Sequence, residues 1–150
     1  MKIENYKAKI LEEGWKLTRQ RLQLLTIILE SSLKYFSAED LYEITKQVDA
    51  QVASSTIYRT LELFEDLQIL RSVLVKSNGT RYFNLLDLEK PDHCHQHLFC
   101  VNCNQFIEIA NEIHSYNPFI KNEYNFQISE HDLLFYGTCK TCLRNKRISS

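Results

Sequence analysis

Four of the five cysteines fall into two C-x-x-C pairs, Cys100-Val-Asn-Cys103 and Cys139-Lys-Thr-Cys142, and nothing else in the sequence restricts the second half of the chain as tightly. A C-x-x-C turn presents two sulfurs to one ion as two corners of a tetrahedron, so two such turns complete the coordination of Zn²⁺. The spacing predicts a four-thiolate zinc site that clips the end of a late strand to the end of an early one. Such a site keeps no open position for water or substrate and is structural in role. The competing reading is a redox-active pair of the thioredoxin kind, but that motif usually occurs once and opens a helix. All five histidines lie between residues 93 and 131, and the first 92 residues hold neither cysteine nor histidine. Metal chemistry is therefore expected only in the second half.

The stretch His93-Cys94-His95-Gln96-His97 adds a second cluster. If it is extended, His93, His95 and His97 project to one side and Cys94 and Gln96 to the other. Imidazoles at i and i+2 reach one metal, and Glu108 on a neighbouring strand is a further ligand; this donor set suits Fe²⁺, Zn²⁺ or Mn²⁺. The plainer alternative is a solvated polar edge strand. Cys94 reads equally well as a ligand or as a small buried hydrophobe.

The first half reads as helices followed by a hairpin. A short polar helix over 5–13 is broken by Gly14. Thr18 caps a longer one with Leu22, Leu25, Ile28 and Leu29 at helical spacing. Ser37, followed by Ala-Glu-Asp, opens a third helix with Leu41, Ile44 and Val48 on one stripe. Ser54 or Ser55 caps a fourth, with Ile57, Leu61 and Phe64 inward and Ser55, Tyr58, Arg59 and Glu62 outward. Strands over 69–75 and 80–86 are joined by Lys76-Ser77-Asn78-Gly79, whose Asn-Gly suits a tight turn. The expected fold is α+β: a winged helix-turn-helix domain over 1–86, a hinge over 87–92 around Pro91, and a metal-binding α/β domain over 93–150. In the latter, strands are expected over 93–100, 105–109 and 124–135, with a brief helix capped by Asn117 and begun by Pro118.

At 150 residues, 44% apolar and 25% charged, the chain has the composition of an ordinary globular protein. No apolar run is long enough to span a bilayer, and the N-terminal residues do not form a secretory signal, so a cytoplasmic location without membrane attachment is expected. The formal net charge is -1, so any nucleic-acid surface is a local basic patch.

Leu17-Thr18-Arg19-Gln20-Arg21, Phe36-Ser37-Ala38-Glu39-Asp40-Leu41-Tyr42, Ser55-Thr56-Ile57-Tyr58-Arg59-Thr60-Leu61, His95-Gln96-His97-Leu98-Phe99-Cys100-Val101-Asn102-Cys103 and Tyr136-Gly137-Thr138-Cys139 occur in this order along the chain. Together they resemble the successive signature segments of the ferric uptake regulator (Fur) family. The resemblance implies a homodimer paired through its C-terminal sheets, with two winged helices on a palindromic double-stranded DNA operator, acting as a repressor when a regulatory divalent metal is bound. It implies that Ser55, Tyr58 and Arg59 face the major groove, that Lys16 reaches the minor groove, and that His95, His97 and Glu108, with His93, hold the regulatory metal. It also implies a second metal site around His131 and Cys94, with His114 or Glu112 adjacent. Tyr35 and Asn84 stand where many members carry a metal ligand. Two rival readings remain: a thiol or peroxide sensor using Cys94, and a zinc-dependent hydrolase. A deaminase signature, H-x-E followed by P-C-x-x-C, is absent.

Overall fold

The computed structural model of the protein describes residues 2–89, 94–109, 116–129 and 131–148. The chain divides into two compact units, Met1–Pro91 and Asp92–Ser150.

In the first unit, α1 (Lys2–Glu12) turns Tyr6 and Ile10 inward. It stops at Gly14, whose φ of +79° costs a glycine little; the Gly14 and Trp15 amides donate back to the Leu11 and Ile10 carbonyls. The Thr18 hydroxyl accepts from the Arg21 amide and opens α2 (Arg19–Glu30), which buries Leu24, Leu25 and Ile28. A full capping box opens α3 (Ala38–Val48): the Ser37 hydroxyl accepts from the Asp40 amide while the Asp40 carboxylate accepts from the Ser37 amide. The buried stripe of α3 differs from the expected one. It runs Ala38, Leu41, Thr45, whereas Val48 is 68% exposed. Thr45 tolerates burial because its hydroxyl donates to the Leu41 carbonyl at 2.7 Å.

Helix α4 (Ser54–Asp66) buries Ile57, Thr60, Leu61, Leu63 and Phe64. Its N-cap is Ala53, with no side-chain hydrogen bond, so neither Ser54 nor Ser55 is the cap. The Ala53 carbonyl already accepts from the Thr56 and Ile57 amides, which draws both serines into the first turn. Strand β1 (Phe36–Ser37) then joins β2 (Leu70–Val75) and β3 (Thr80–Leu85) in the order β1-β3-β2, all antiparallel. The short β1 strand was absent from the sequence expectation. The hairpin closes where expected: Val75 pairs with Thr80, Gly79 has φ +70°, and the Asn78 side-chain oxygen accepts from the Thr80 amide. Phe83 stacks on Phe36 with ring centres 6.2 Å apart, and both join the core of Leu24, Leu25, Ile57, Leu61 and Phe64.

In the second unit, β4 (Cys94–Cys100) is the middle strand, antiparallel to β5 (Phe106–Glu108) and parallel to β6 (His131–Gly137). Helix α5 (Tyr116–Tyr124) precedes β6, and α6 (Lys140–Ile148) follows it. Two sequence expectations need correction. Tyr124 ends α5 and does not begin a strand; Asn125, at φ +48°, turns the chain away. Asn117 and Pro118 lie inside the first turn of α5, where proline's missing N–H has no intrahelical partner to lose. Helix α6 was not foreseen, since Lys140-Thr-Cys-Leu-Arg-Asn-Lys-Arg is too polar to show apolar periodicity.

Candidate metal centre

The two C-x-x-C turns sit at adjacent ends of two parallel strands. Cys100 closes β4 opposite Gly137, the last residue of β6, and Cys139 follows two residues later. The first turn is shaped by its backbone: the Asn104 amide donates to the Cys100 carbonyl at 2.9 Å, and Asn104 adopts φ +57°. The second turn opens α6, where the Cys139 carbonyl accepts from the Leu143 amide at 2.9 Å and Cys142 lies in the first helical turn. Hydrogen bonds tie the turns together: the Val101 amide donates to the Gly137 carbonyl at 2.9 Å, and the Thr138 hydroxyl to Asn102 Oδ1 at 3.4 Å. All four sulfurs lie within 4.8 Å of one another. Cys103 and Cys139 Sγ are 3.8 Å apart, and all four cysteines are free thiols. Opening a helix, as the second pair does, is a trait shared with redox C-x-x-C motifs. A redox pair nevertheless works alone, and here two pairs converge.

Four sulfurs so close cannot all ionise unaided. Cys100 is held down at about 6, chiefly by the Cys139 amide, whose nitrogen lies 3.2 Å from Cys100 Sγ, with the Cys103 and Asn102 amides adding to it. Cys142 is pushed up to about 12, first by the Cys139 sulfur, then by desolvation and the other two sulfurs. Cys103 is raised as well: the Gln105 amide pulls it down, but the Cys100 sulfur and desolvation outweigh that pull. The Cys100 thiolate gathers the nearby donors while Cys103 and Cys142 keep their protons. A divalent cation relieves the crowding by replacing those protons, and a closed tetrahedron of thiolates is the donor set of structural Zn²⁺.

Strand register settles how the histidine strand meets its neighbours. His97 pairs directly with Glu108 across β4 and β5, and His95 pairs with Asp132 and Cys94 with His131 across β4 and β6. His97 is 4% exposed, and its ring meets Phe106 edge-on at 6.4 Å; Glu108 is exposed. The imidazole is thus fixed by packing beside a carboxylate open to solvent. Gln96, on the opposite side of β4, is 3% exposed, and its Oε1 has no hydrogen-bond partner among the described residues. His93, Glu112 and His114 lie outside the described residues.

In the first unit, Ser55, Tyr58, Arg59 and Glu62 are all exposed on the outer side of α4, Tyr58 by 51%. Lys16 is exposed in the turn between α1 and α2, its carbonyl accepting from Arg21 Nη1 at 2.6 Å. Tyr35 is half-buried before β1, and Asn84 pairs with Arg71 within the hairpin. The Cys139 amide on Cys100 Sγ could not be foreseen, because a backbone donor has no residue signature.

The profile of the ferric uptake regulator family matches residues 12–136. Over 144 residues the chain is 31% identical to the ferric uptake regulation protein of Bacillus subtilis, covering 94% of each. Among solved structures, the Vibrio cholerae ferric uptake regulator superposes with a TM-score of 0.75 at 29% identity, covering 90% of this chain and 99% of that one. The ferric uptake regulator of Pseudomonas aeruginosa with manganese superposes with a TM-score of 0.72 at 26% identity, covering 89% and 97%.

Proposed function

Because the chain belongs to the ferric uptake regulator family, we propose that it is a metal-responsive, DNA-binding transcriptional repressor that acts as a homodimer on palindromic operators. Residues 1–86 form the DNA-binding domain, 87–92 the hinge and 93–150 the metal-binding dimerisation domain. Zn²⁺ bound by Cys100, Cys103, Cys139 and Cys142 holds the latter together. A regulatory Fe²⁺, Zn²⁺ or Mn²⁺ is held by His95, His97 and Glu108 with His93, and a second site involves His131 and Cys94. Ser55, Tyr58 and Arg59 read the major groove, and Lys16 reaches the minor groove.

The observation that carries this reading is the division of α4 into two faces. One is fully buried in a helix-and-wing core, and the other presents an aromatic, a guanidinium and a hydroxyl to solvent. Metal response is supported by the direct His97–Glu108 pairing, and the four-thiolate set by the convergence of the sulfurs. Pairing of two copies is supported by Leu98, Ile107 and Phe135, neighbours across β5-β4-β6 that are each more than a third exposed. The relatives matched are regulators, and a saturated four-thiolate centre is not built for turnover. No described helix is long and apolar enough to cross a membrane.

The test is a DNA titration. Palindromic duplexes are enriched from a randomised library against zinc-replete protein, and affinity for the winner is measured in chelator, Fe²⁺, Mn²⁺ and added Zn²⁺. The His95→Ala, His97→Ala double variant runs in parallel. One metal is expected to tighten binding at least tenfold in the parent protein and not in the variant. If no metal matters but mild peroxide releases DNA, the thiol-sensing reading replaces this one.

A further inference from the structure

A closed ring of polar side chains joins α4 to the hairpin of the first unit. Glu65, on α4 two turns beyond Tyr58, uses both carboxylate oxygens: Oε2 accepts from Arg81 Nη2 at 2.6 Å, and Oε1 accepts from the Ser72 hydroxyl. The Ser72 oxygen in turn accepts from Arg81 Nε at 2.8 Å. Ser72 is on β2 and Arg81 on β3, so three elements meet in one ring, and the guanidinium also lies over Phe83, 5.4 Å from the ring centre. Beside it opens a cleft of about 290 Å³, lined by Tyr58 and Glu62 of α4 and by Gly79, Thr80 and Arg81 of the hairpin.

We infer that Glu65, Ser72 and Arg81 are positioning residues that lock the hairpin wing to α4, so that groups on both reach DNA in one fixed geometry. This rests on the DNA-binding reading above. A recognition constellation must be held to within about 0.5 Å, and groups carried by separate elements need a tie between those elements. The ring supplies it with fixed directions: a planar guanidinium, a carboxylate used on both oxygens and a hydroxyl that both donates and accepts. Half-exposed ion pairs add little to folding stability, so the ring's main effect is orientation. Its electrostatics point the same way. A carboxylate on the helix that faces DNA repels phosphate, so Glu65 favours DNA binding only through the geometry it imposes.

That opposition of signs makes the test sharp. In Glu65→Gln the single amide oxygen has to face the guanidinium, so the Ser72 hydroxyl loses its acceptor, the pair with Arg81 loses its charge assistance, and a negative charge is removed. By charge alone, affinity for every duplex should rise. The lock predicts the reverse for the operator: a loss on the order of tenfold, the size of one mismatched base pair, with affinity for a scrambled duplex unchanged or higher. Ser72→Ala, which changes no charge, is expected to lower the operator-to-scrambled ratio similarly, and the double variant to do no more than Glu65→Gln alone. The duplex enriched above and its scrambled control are titrated by fluorescence anisotropy with full-length, metal-loaded protein, with thermal melting alongside. If Glu65→Gln tightens both duplexes equally, or the ratio stays constant in both single variants, the inference is overturned while DNA binding stands. If Glu65→Gln melts early, Ser72→Ala alone decides. If the parent protein distinguishes no duplex, the DNA-binding reading fails and this inference with it.

Discussion

Cys103 shows how much a single residue contributes here. Its sulfur is one corner of the cluster, and if zinc binds there, four sulfurs that are gathered only in the folded chain turn metal affinity into folding free energy, on the order of 10 kcal/mol in small zinc domains. Cys103→Ser is therefore expected to purify without stoichiometric zinc. Hydrogen exchange should show fast amides over 94–109 and 131–148 with protection kept in α2 and α4; retained protection in β4 would refute a structural role. The thiols also set a pH dependence. Cys142, pushed up to about 12, and Cys103, also raised, both carry protons at pH 7, so loading the site must release about two protons or more per ion. Apparent zinc affinity thus falls as pH falls. Calorimetry in buffers of different ionisation enthalpy counts the protons, and a count near zero would show that fewer thiolates bind. A third residue, Tyr6, is legible only in the structure. Its hydroxyl, 4% exposed with the rest of the side chain, donates to the Leu86 carbonyl at 2.8 Å and ties α1 to the end of the hairpin. Tyr6→Phe leaves that carbonyl without its donor and should cost about 1–2 kcal/mol in denaturant unfolding of the first unit. Burial first, then the charges of Asp87 and Glu89, raise the Tyr6 pKa above its ordinary 10.0. The native state therefore holds this proton more tightly than the unfolded chain. The stability so gained is complete below pH 10 and is lost as pH rises through the folded-state value. The Tyr6→Phe protein should lack that alkaline step.

Elements were legible in proportion to how local their causes are. Ser37 and Asp40 are three residues apart, and the helix opens at Ser37 as expected, with a capping box between the two; Ser37→Ala should cost about 1 kcal/mol and lower the melting temperature of the first unit by several degrees. An unchanged melting point would mean that packing of Phe36 and Ala38 alone sets the start of α3. The hairpin was equally readable, since Asn78-Gly79 closes it through backbone preferences held in the turn itself. Where distant partners decide, the sequence was misleading or silent. The rotation of α3 that buries Thr45 and exposes Val48 follows from packing against α2 and α4, not from its own apolar spacing. Strand β1 is two residues long and exists only because β3 passes beside it. Helix α6 follows directly on Cys139, whose sulfur lies 3.8 Å from Cys103 Sγ, 36 residues back along the chain, and its polar sequence gave little sign of it. The same distinction runs through the candidate site. Cysteine spacing announced the four-sulfur cluster, and alternation along β4 separated His97 from Gln96. The pairing of His97 with Glu108 required the register of a strand nine residues away.

For the whole molecule, the constraint is thermodynamic. A formal net charge of -1 gives no general attraction to a polyanion, so affinity for DNA has to come from local clusters of cations, and it should weaken steeply with salt. If the regulatory ion acts by favouring one arrangement of the protein over another, then to carry the population from almost off to almost on it must bind the DNA-competent arrangement better by about 5 kcal/mol. Coupling of this kind is reciprocal: whatever factor the metal adds to DNA affinity, DNA must add to metal affinity. The two factors are measurable independently, the first from operator titrations with and without the ion, the second from competition of the protein with a chelator dye with and without operator. They are expected to agree within error in the parent protein and both to fall to one in His95→Ala, His97→Ala, while the zinc at the cysteines remains. Coupling that survives in the double variant would mean that the ion acts from outside the histidine strand. In that case His97 and Glu108, paired though they are, would not be the sensor.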